Sequence, residues 1–261
     1  MSQYILPVLY VLFLWWFSTG LILYLNGLPR WTFKWTLTGS SFLLVLALIG
    51  LYATRDDTRI TGAYLGFTFA LLVWAWQEVA FLLGVATGSN RAPCPTGTGG
   101  WGRVRLALLT VWHHELALLV LGAAVWALTA DGTNPTGWWT FLVLYVMRQS
   151  AKLNLFLGVR NLSESFLPPH LVYLHSYFRR RPMNALMPWS VLLGGAVATW
   201  LWWQTGDSAL TPFEVSAHIF AAILLSLALL EHAFMVLPLP SEALWSWGLR
   251  SRQAAVQEKP S

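Results

Sequence analysis

Long apolar runs dominate the chain, separated by short clusters of charge, proline and glycine. A helix needs about 20 mostly apolar residues to cross a bilayer. Seven runs qualify, approximately 4–25, 34–53, 60–86, 104–130, 137–159, 183–204 and 212–237. Backbone polar groups in lipid must be satisfied within their own segment, which predicts helices for these runs. The period-two alternation of a membrane barrel is absent. The pattern therefore predicts an all-α, polytopic membrane bundle over residues 1–240, followed by a short tail at 241–261. The first run lacks a basic leader and a small-residue cleavage site, so it reads as a span.

Two segments are too polar to span. Over 163–181, Leu167, Leu171, Leu174 and Phe178 recur at helical spacing and Arg179, Arg180 and Arg181 follow. This predicts an amphipathic helix in the membrane interface, with its three arginines on anionic lipid. A shorter interfacial piece is expected at 241–249, anchored by Trp245 and Trp247.

Composition supports the membrane reading. Hydrophobic residues make up 56% of the chain and charged residues 10%, against about 25% charged in soluble domains. The net charge of +5 is spread over several loops, which argues against a nucleic-acid surface. Cys94 is the single cysteine, so no intrachain disulfide is expected. Most of the 16 Lys and Arg residues fall on alternate loops, with Arg55 and Arg59 on the opposite side. That bias predicts a bacterial inner-membrane protein with a periplasmic N-terminus and a cytoplasmic C-terminus. Most of the 17 tryptophans lie near span ends, as in an interfacial aromatic belt. His170, His175 and His218 read as ordinary interface residues.

Ionisable residues inside the spans change the picture, because each is costly in hydrocarbon. The third span carries Gln77 and Glu78, and the fourth His113, His114 and Glu115. The fifth carries Arg148, Gln149, Lys152 and Asn154, and the seventh Glu231 and His232. At 1.5 Å per residue these lie roughly 8–18 Å from the same side of the membrane. Four helices are thus expected to share a polar interior. Three readings stay open. Three glutamates against Arg148 and Lys152 make a nearly neutral structural network. Glu78, His113, His114, Glu115, Glu231 and His232 are the residue types of a divalent-metal site in a bundle. Yet neighbours on a helix are ~100° apart, so His113, His114 and Glu115 do not easily share one ion. Finally, Trp74, Trp76 and Trp112 lie within spans and could pack beside a flat pigment such as a transient (bacterio)chlorophyll.

Several stretches, taken in order, carry a resemblance. They include Trp74-Ala-Trp-Gln-Glu78, the His113-His-Glu115 triplet, and the run from Arg148 through Lys152 and Asn154 to Asn161. Further along come Arg179-Arg-Arg-Pro-Met-Asn184, Glu231-His232 before Leu237-Pro-Leu-Pro240, and Leu244-Trp-Ser-Trp-Gly-Leu249. Across nearly the whole chain this resembles the PuhE family of purple phototrophic bacteria. The resemblance implies a membrane factor for assembling the reaction-centre and light-harvesting apparatus, or for modulating bacteriochlorophyll supply. Implied partners are reaction-centre or light-harvesting subunits, or pigment-synthesis proteins. It implies no reaction. The alternative is a membrane metalloenzyme, an oxidoreductase acting on a lipophilic pigment or quinone. A transporter is disfavoured by the lack of internal repeats and broken central helices.

Overall fold

In the computed structural model, which describes residues 2–257, every regular element is helical. The helices are α1 (Ser2–Gly27), α2 (Phe33–Ala53), α3 (Ile60–Leu82), α4 (Gly100–Thr129), α5 (Thr136–Leu157), α6 (Leu186–Gln204), α7 (Pro212–Val236) and α8 (Ser246–Gln257). Six of them, α1 to α4, α6 and α7, are long and apolar enough to cross a membrane. The predicted fifth span, α5, has comparable length at 22 residues but is less apolar. Arg148, Gln149, Lys152 and Asn154 account for the difference. The chain is therefore a multi-pass membrane protein in a lipid bilayer.

Burial sorts the helices. About half of the apolar window of α3 and α7 is buried, against 17% in α1 and α2. Small residues allow this close packing: Gly62, Ala63, Gly66 and Ala70 on α3, and Ala217, Ala221 and Ala222 on α7, are all buried. Phe67 of α3 stacks on Phe220 of α7 with ring centroids 4.9 Å apart. On the other side of α3, Val73 and Trp74 pack with Leu118, Val125 and Phe141. Helices α3, α5 and α7 thus form the centre. Trp35, Leu43 and Leu46 of α2 and Trp189, Leu192, Leu193 and Trp200 of α6 are exposed, as lipid-facing surfaces are.

The two ends differ. At one end the short turns after α2, α4 and α6 hold Arg55, Asp56, Asp57, Arg59, Asp131 and Asp207. Asn134 ties two of these turns together by donating to the carbonyls of Thr54 and Gly62. Helix α7 starts there with a capping box, Thr211 and Glu214 bonding reciprocally around Pro212. The other end is basic and more elaborate. It carries the α1–α2 turn, residues 83–99, residues 158–185 and α8.

The segment expected as one amphipathic helix over 163–181 is built differently. It forms 3-10 stretches at Glu164–Phe166 and Pro169–Tyr177. Pro168 and Pro169 remove two backbone donors and prevent a continuous α-helix. Its expected apolar face covers the bundle rather than lipid, because Leu171 and Leu174 are buried against Phe81 and Leu82 of α3. The tail also departs from expectation. Residues 241–257 form a 3-10 turn and α8, and α8 lies along α1. Trp245 is 3% exposed and sits edge-on to Trp15. Gly20 makes room for this packing, since a Cβ there would stand 2.1 Å from the Trp247 ring.

Residues 83–99 fold back onto α4. Asn90 N–H donates to Leu109 O and His114 N–H to Thr87 O. Between these bonds a Cβ on Gly88 would stand 2.0 Å from Leu109 O, so only glycine fits.

Candidate functional site in the bundle interior

Helices α1, α3, α4, α5 and α7 surround a cavity of about 720 Å³. Residues of 162–178 and Trp245 also contribute to its wall. The wall is mainly apolar, with Phe67, Leu71, Trp74, Leu224 and Leu227 among its residues. The charged groups of α3, α4, α5 and α7 interrupt it.

Two cation–carboxylate pairs span the helices. Arg148 Nη2 lies 2.9 Å from Glu78 Oε2, joining α5 to α3. Lys152 Nζ lies 2.6 Å from Glu115 Oε1, joining α5 to α4. Gln149 Nε2 donates to the second oxygen of Glu115 at 2.8 Å, and Gln77 Nε2 donates to Glu78 at 3.3 Å. One turn of α5 thus places Arg148, Gln149 and Lys152 against two neighbouring helices. Positions i and i+4 share a face, while i+1 is displaced by ~100°.

Glu231 is held differently. Its Oε1 accepts from Trp15 Nε1 at 2.8 Å, and no cation lies within ion-pair distance of it among the described residues. It lines the cavity and its surface is open to it. It is therefore the carboxylate most available to a ligand hydroxyl, amine or coordinated metal. Trp15 is one of the tryptophans that the sequence places well inside a span, with no partner assigned. An indole in the first span gives no sign that it faces a glutamate 216 residues later.

The remaining residues scatter. His232 is adjacent to Glu231 but is fully engaged: Nε2 is 2.9 Å from Ser150 Oγ and Nδ1 is 2.8 Å from Ala228 O. Ser150 leads into a second polar cluster, in which Asn154 donates to Ser190 Oγ and Asn184 donates to Asn154 Oδ1. This cluster fixes the junction of α5 with α6. His114 is 0% exposed, with both ring nitrogens unpartnered and its ring 4.5 Å from that of Phe81. His113 and Trp112 point out of the bundle. Trp74 borders the cavity, but Trp76 turns toward α2 and donates to Ser41 Oγ.

A metal fits this arrangement poorly. Among the described residues, no group of three or more His, Cys, Asp or Glu side chains is placed to hold an ion. His113 faces away, His232 has no free nitrogen, and Glu78 and Glu115 are each occupied by a cation. Arg179, Arg180 and Arg181 are exposed at the basic end, where Arg180 pairs with Glu164 at 2.8 Å.

Fold and site together define a polytopic α-helical membrane protein with an internal, partly charge-paired cavity. Such a scaffold fixes no reaction by itself. The chain belongs to the DUF3623 family, proteins of unknown function, matched over residues 1–256. It is 40% identical over 256 residues to an uncharacterized 30.4 kDa protein in the puhA 5' region of Rhodobacter capsulatus. That match covers 94% of this chain and 91% of the relative. No solved structure matches.

Proposed function

We propose that this protein is a membrane-embedded factor of the photosynthetic apparatus, holding a lipophilic pigment in its central cavity during assembly or supply. The observation that carries this reading is the cavity itself. Its volume of about 720 Å³ lies within the ~300–1,000 Å³ of ligand pockets, which are apolar with a few placed polar groups. Glu231 and Trp74 are the contacts that best suit a flat, weakly polar ring. The resemblance to the PuhE family supports a role in photosynthetic complex assembly or bacteriochlorophyll supply. The location of the Rhodobacter capsulatus relative in the puhA 5' region is consistent with it. The paired charges of α3, α4 and α5 serve here as a rigid frame, since an intramembrane charge is tolerated when paired.

The basic end would face the cytoplasm under the positive-inside bias, placing Arg179, Arg180 and Arg181 near anionic headgroups. A reporter fused after α8 should therefore behave as cytoplasmic.

The test of pigment holding is direct. The protein is purified from a phototrophic host and extracted with solvent, and the extract is measured by absorbance. Wild type should retain pigment. Ala75→Trp or Ala228→Trp, which fill the cavity from two sides, should reduce it while folded protein is still recovered. Pigment absent from wild type, or undiminished in both filled variants, defeats the reading.

A further inference from the structure

A second, smaller pocket of about 190 Å³ opens at the basic end. Its wall joins three parts of the chain: Arg30 and Phe33 where α2 begins, Gly84, Thr87 and Arg91 beyond α3, and His170 and Tyr173 of the 3-10 stretch. Among the described residues, no Asp or Glu lines it. Arg252 of α8 lies near enough to join Arg30 and Arg91 in acting on His170.

Cations gathered without a carboxylate repel one another, and partial burial strengthens the repulsion. Neutral dipoles relieve it only in part. Arg91 Nη2 donates to Gly84 O at 3.1 Å, and His170 Nε2 donates to Leu82 O at 2.9 Å. With Nε2–H given to Leu82 O, Nδ1 accepts while the ring is neutral and donates to an anion once the ring is protonated. Arg30 is exposed and forms no ion pair with a described residue. Thr87 Oγ1 and Tyr173 Oη of the wall are buried beside each other, without a hydrogen bond of normal geometry to a described residue. Thr87 is 1% exposed. Two guanidiniums, with an imidazole that donates when protonated and two nearby hydroxyls, are groups that recognise a phosphate. The N-terminal end of α2 adds a favourable dipole.

We propose that this pocket binds a phosphate group, held by Arg30, Arg91 and His170. The phosphate belongs either to an anionic lipid headgroup or to a soluble phosphate-bearing molecule. Its setting suits a headgroup: Trp31 and Trp35 flank Arg30 and are 70% and 64% exposed, as interfacial tryptophans are. Basic pockets between spans on the cytoplasmic side bind such headgroups.

The full-length protein is the material for the test. Retained phosphatidylglycerol and phosphatidylcholine are compared by native mass spectrometry after reconstitution in mixed nanodiscs. In detergent, the unfolding midpoint is followed as inorganic phosphate is added. Wild type should prefer phosphatidylglycerol or be stabilised by phosphate. The first result alone identifies a headgroup, and the second alone a soluble compound. Arg30→Gln and Arg91→Gln should each weaken the response about ten-fold, as for loss of a charge-assisted contact. Arg59→Gln, at the opposite end of the bundle, should leave it unchanged. Arg30→Gln decides the matter if Arg91→Gln fails to fold, because Arg30 supports no ion pair. Wild type with neither response, Arg30→Gln binding as wild type, or equal loss in Arg59→Gln overturns the site.

Discussion

The central cavity and the basic-end pocket both contain arginines, yet they treat charge in opposite ways. In the central cavity Arg148 and Lys152 each meet a carboxylate, at 2.9 and 2.6 Å. In the smaller pocket Arg30 and Arg91 meet only carbonyl dipoles or nothing. The difference follows from solvent. Within a bilayer an arginine or lysine without a carboxylate partner is costly. At the headgroup level water and counter-ions cover the cost until a ligand replaces them. Paired cations therefore mark framework here, and unpaired ones mark a place for an anion.

The largest expected effect tests the framework. Glu115→Ala strands Lys152 and Gln149 and should cost about 3–5 kcal/mol, seen as loss of folded protein and a lower unfolding midpoint in detergent. Glu115→Gln with Lys152→Met should recover much of that loss. A mild effect of Glu115→Ala alone would mean the paired charges are not structural, and the contrast would fail. Arg148→Gln should cost less, about 1–3 kcal/mol for the group left without its partner, because Arg148 remains 37% exposed toward the cavity. The same change at Arg30 should have the opposite sign. Without anion, Arg30→Gln should be neutral or stabilising by at most ~0.5 kcal/mol, the range of surface changes. Destabilisation equal to that of Arg148→Gln would show that Arg30 is framework too.

The smallest effect is with pH. Burial, and secondarily Arg30, Arg252 and Arg91, hold His170 below its ordinary value near 6.5, against the opposing bond to Leu82 O. The unfolded chain then binds more protons as pH falls below 6.5, so stability declines from there down to the folded value and levels off. The change should be a fraction of the ~2–4 °C that 1 kcal/mol moves a chain of this size. Among the groups facing His170, Arg30, Arg91 and Arg252 stay charged throughout and Tyr173 stays neutral. His170→Gln should abolish the decline, and bound phosphate should shrink it.

The membrane architecture was largely legible, because the apolar runs are long and the solvent demands helices. So was the involvement of Glu78, Glu115, Arg148 and Lys152, since intramembrane charges stand out on each span. Which residue met which was not legible. Helical spacing did not settle whether His113 or His114 faced inward, nor that Glu231 and His232 would serve different neighbours. Trp15 was indistinguishable from other span tryptophans. The basic-end pocket was hidden for a different reason. Arg30 and Arg91 looked like ordinary loop arginines, and His170 like an interface residue, because their grouping depends on the folding of residues 83–99 and 163–181. The double proline at 168–169 was the available sign that no single amphipathic helix would form there.

The packing of α8 on α1 has a consequence in time. Gly20 is made 227 residues before its partner Trp247. At ~5–20 residues per second, Gly20 waits roughly 10–45 s for that ring. Throughout that interval the α1 face later covered by Trp245 and Trp247 is bare to lipid or to another protein. The central cavity likewise lacks the part of its wall that Trp245 supplies. A ribosome-bound chain thus presents an open vessel, and synthesis of the C-terminal segment closes it.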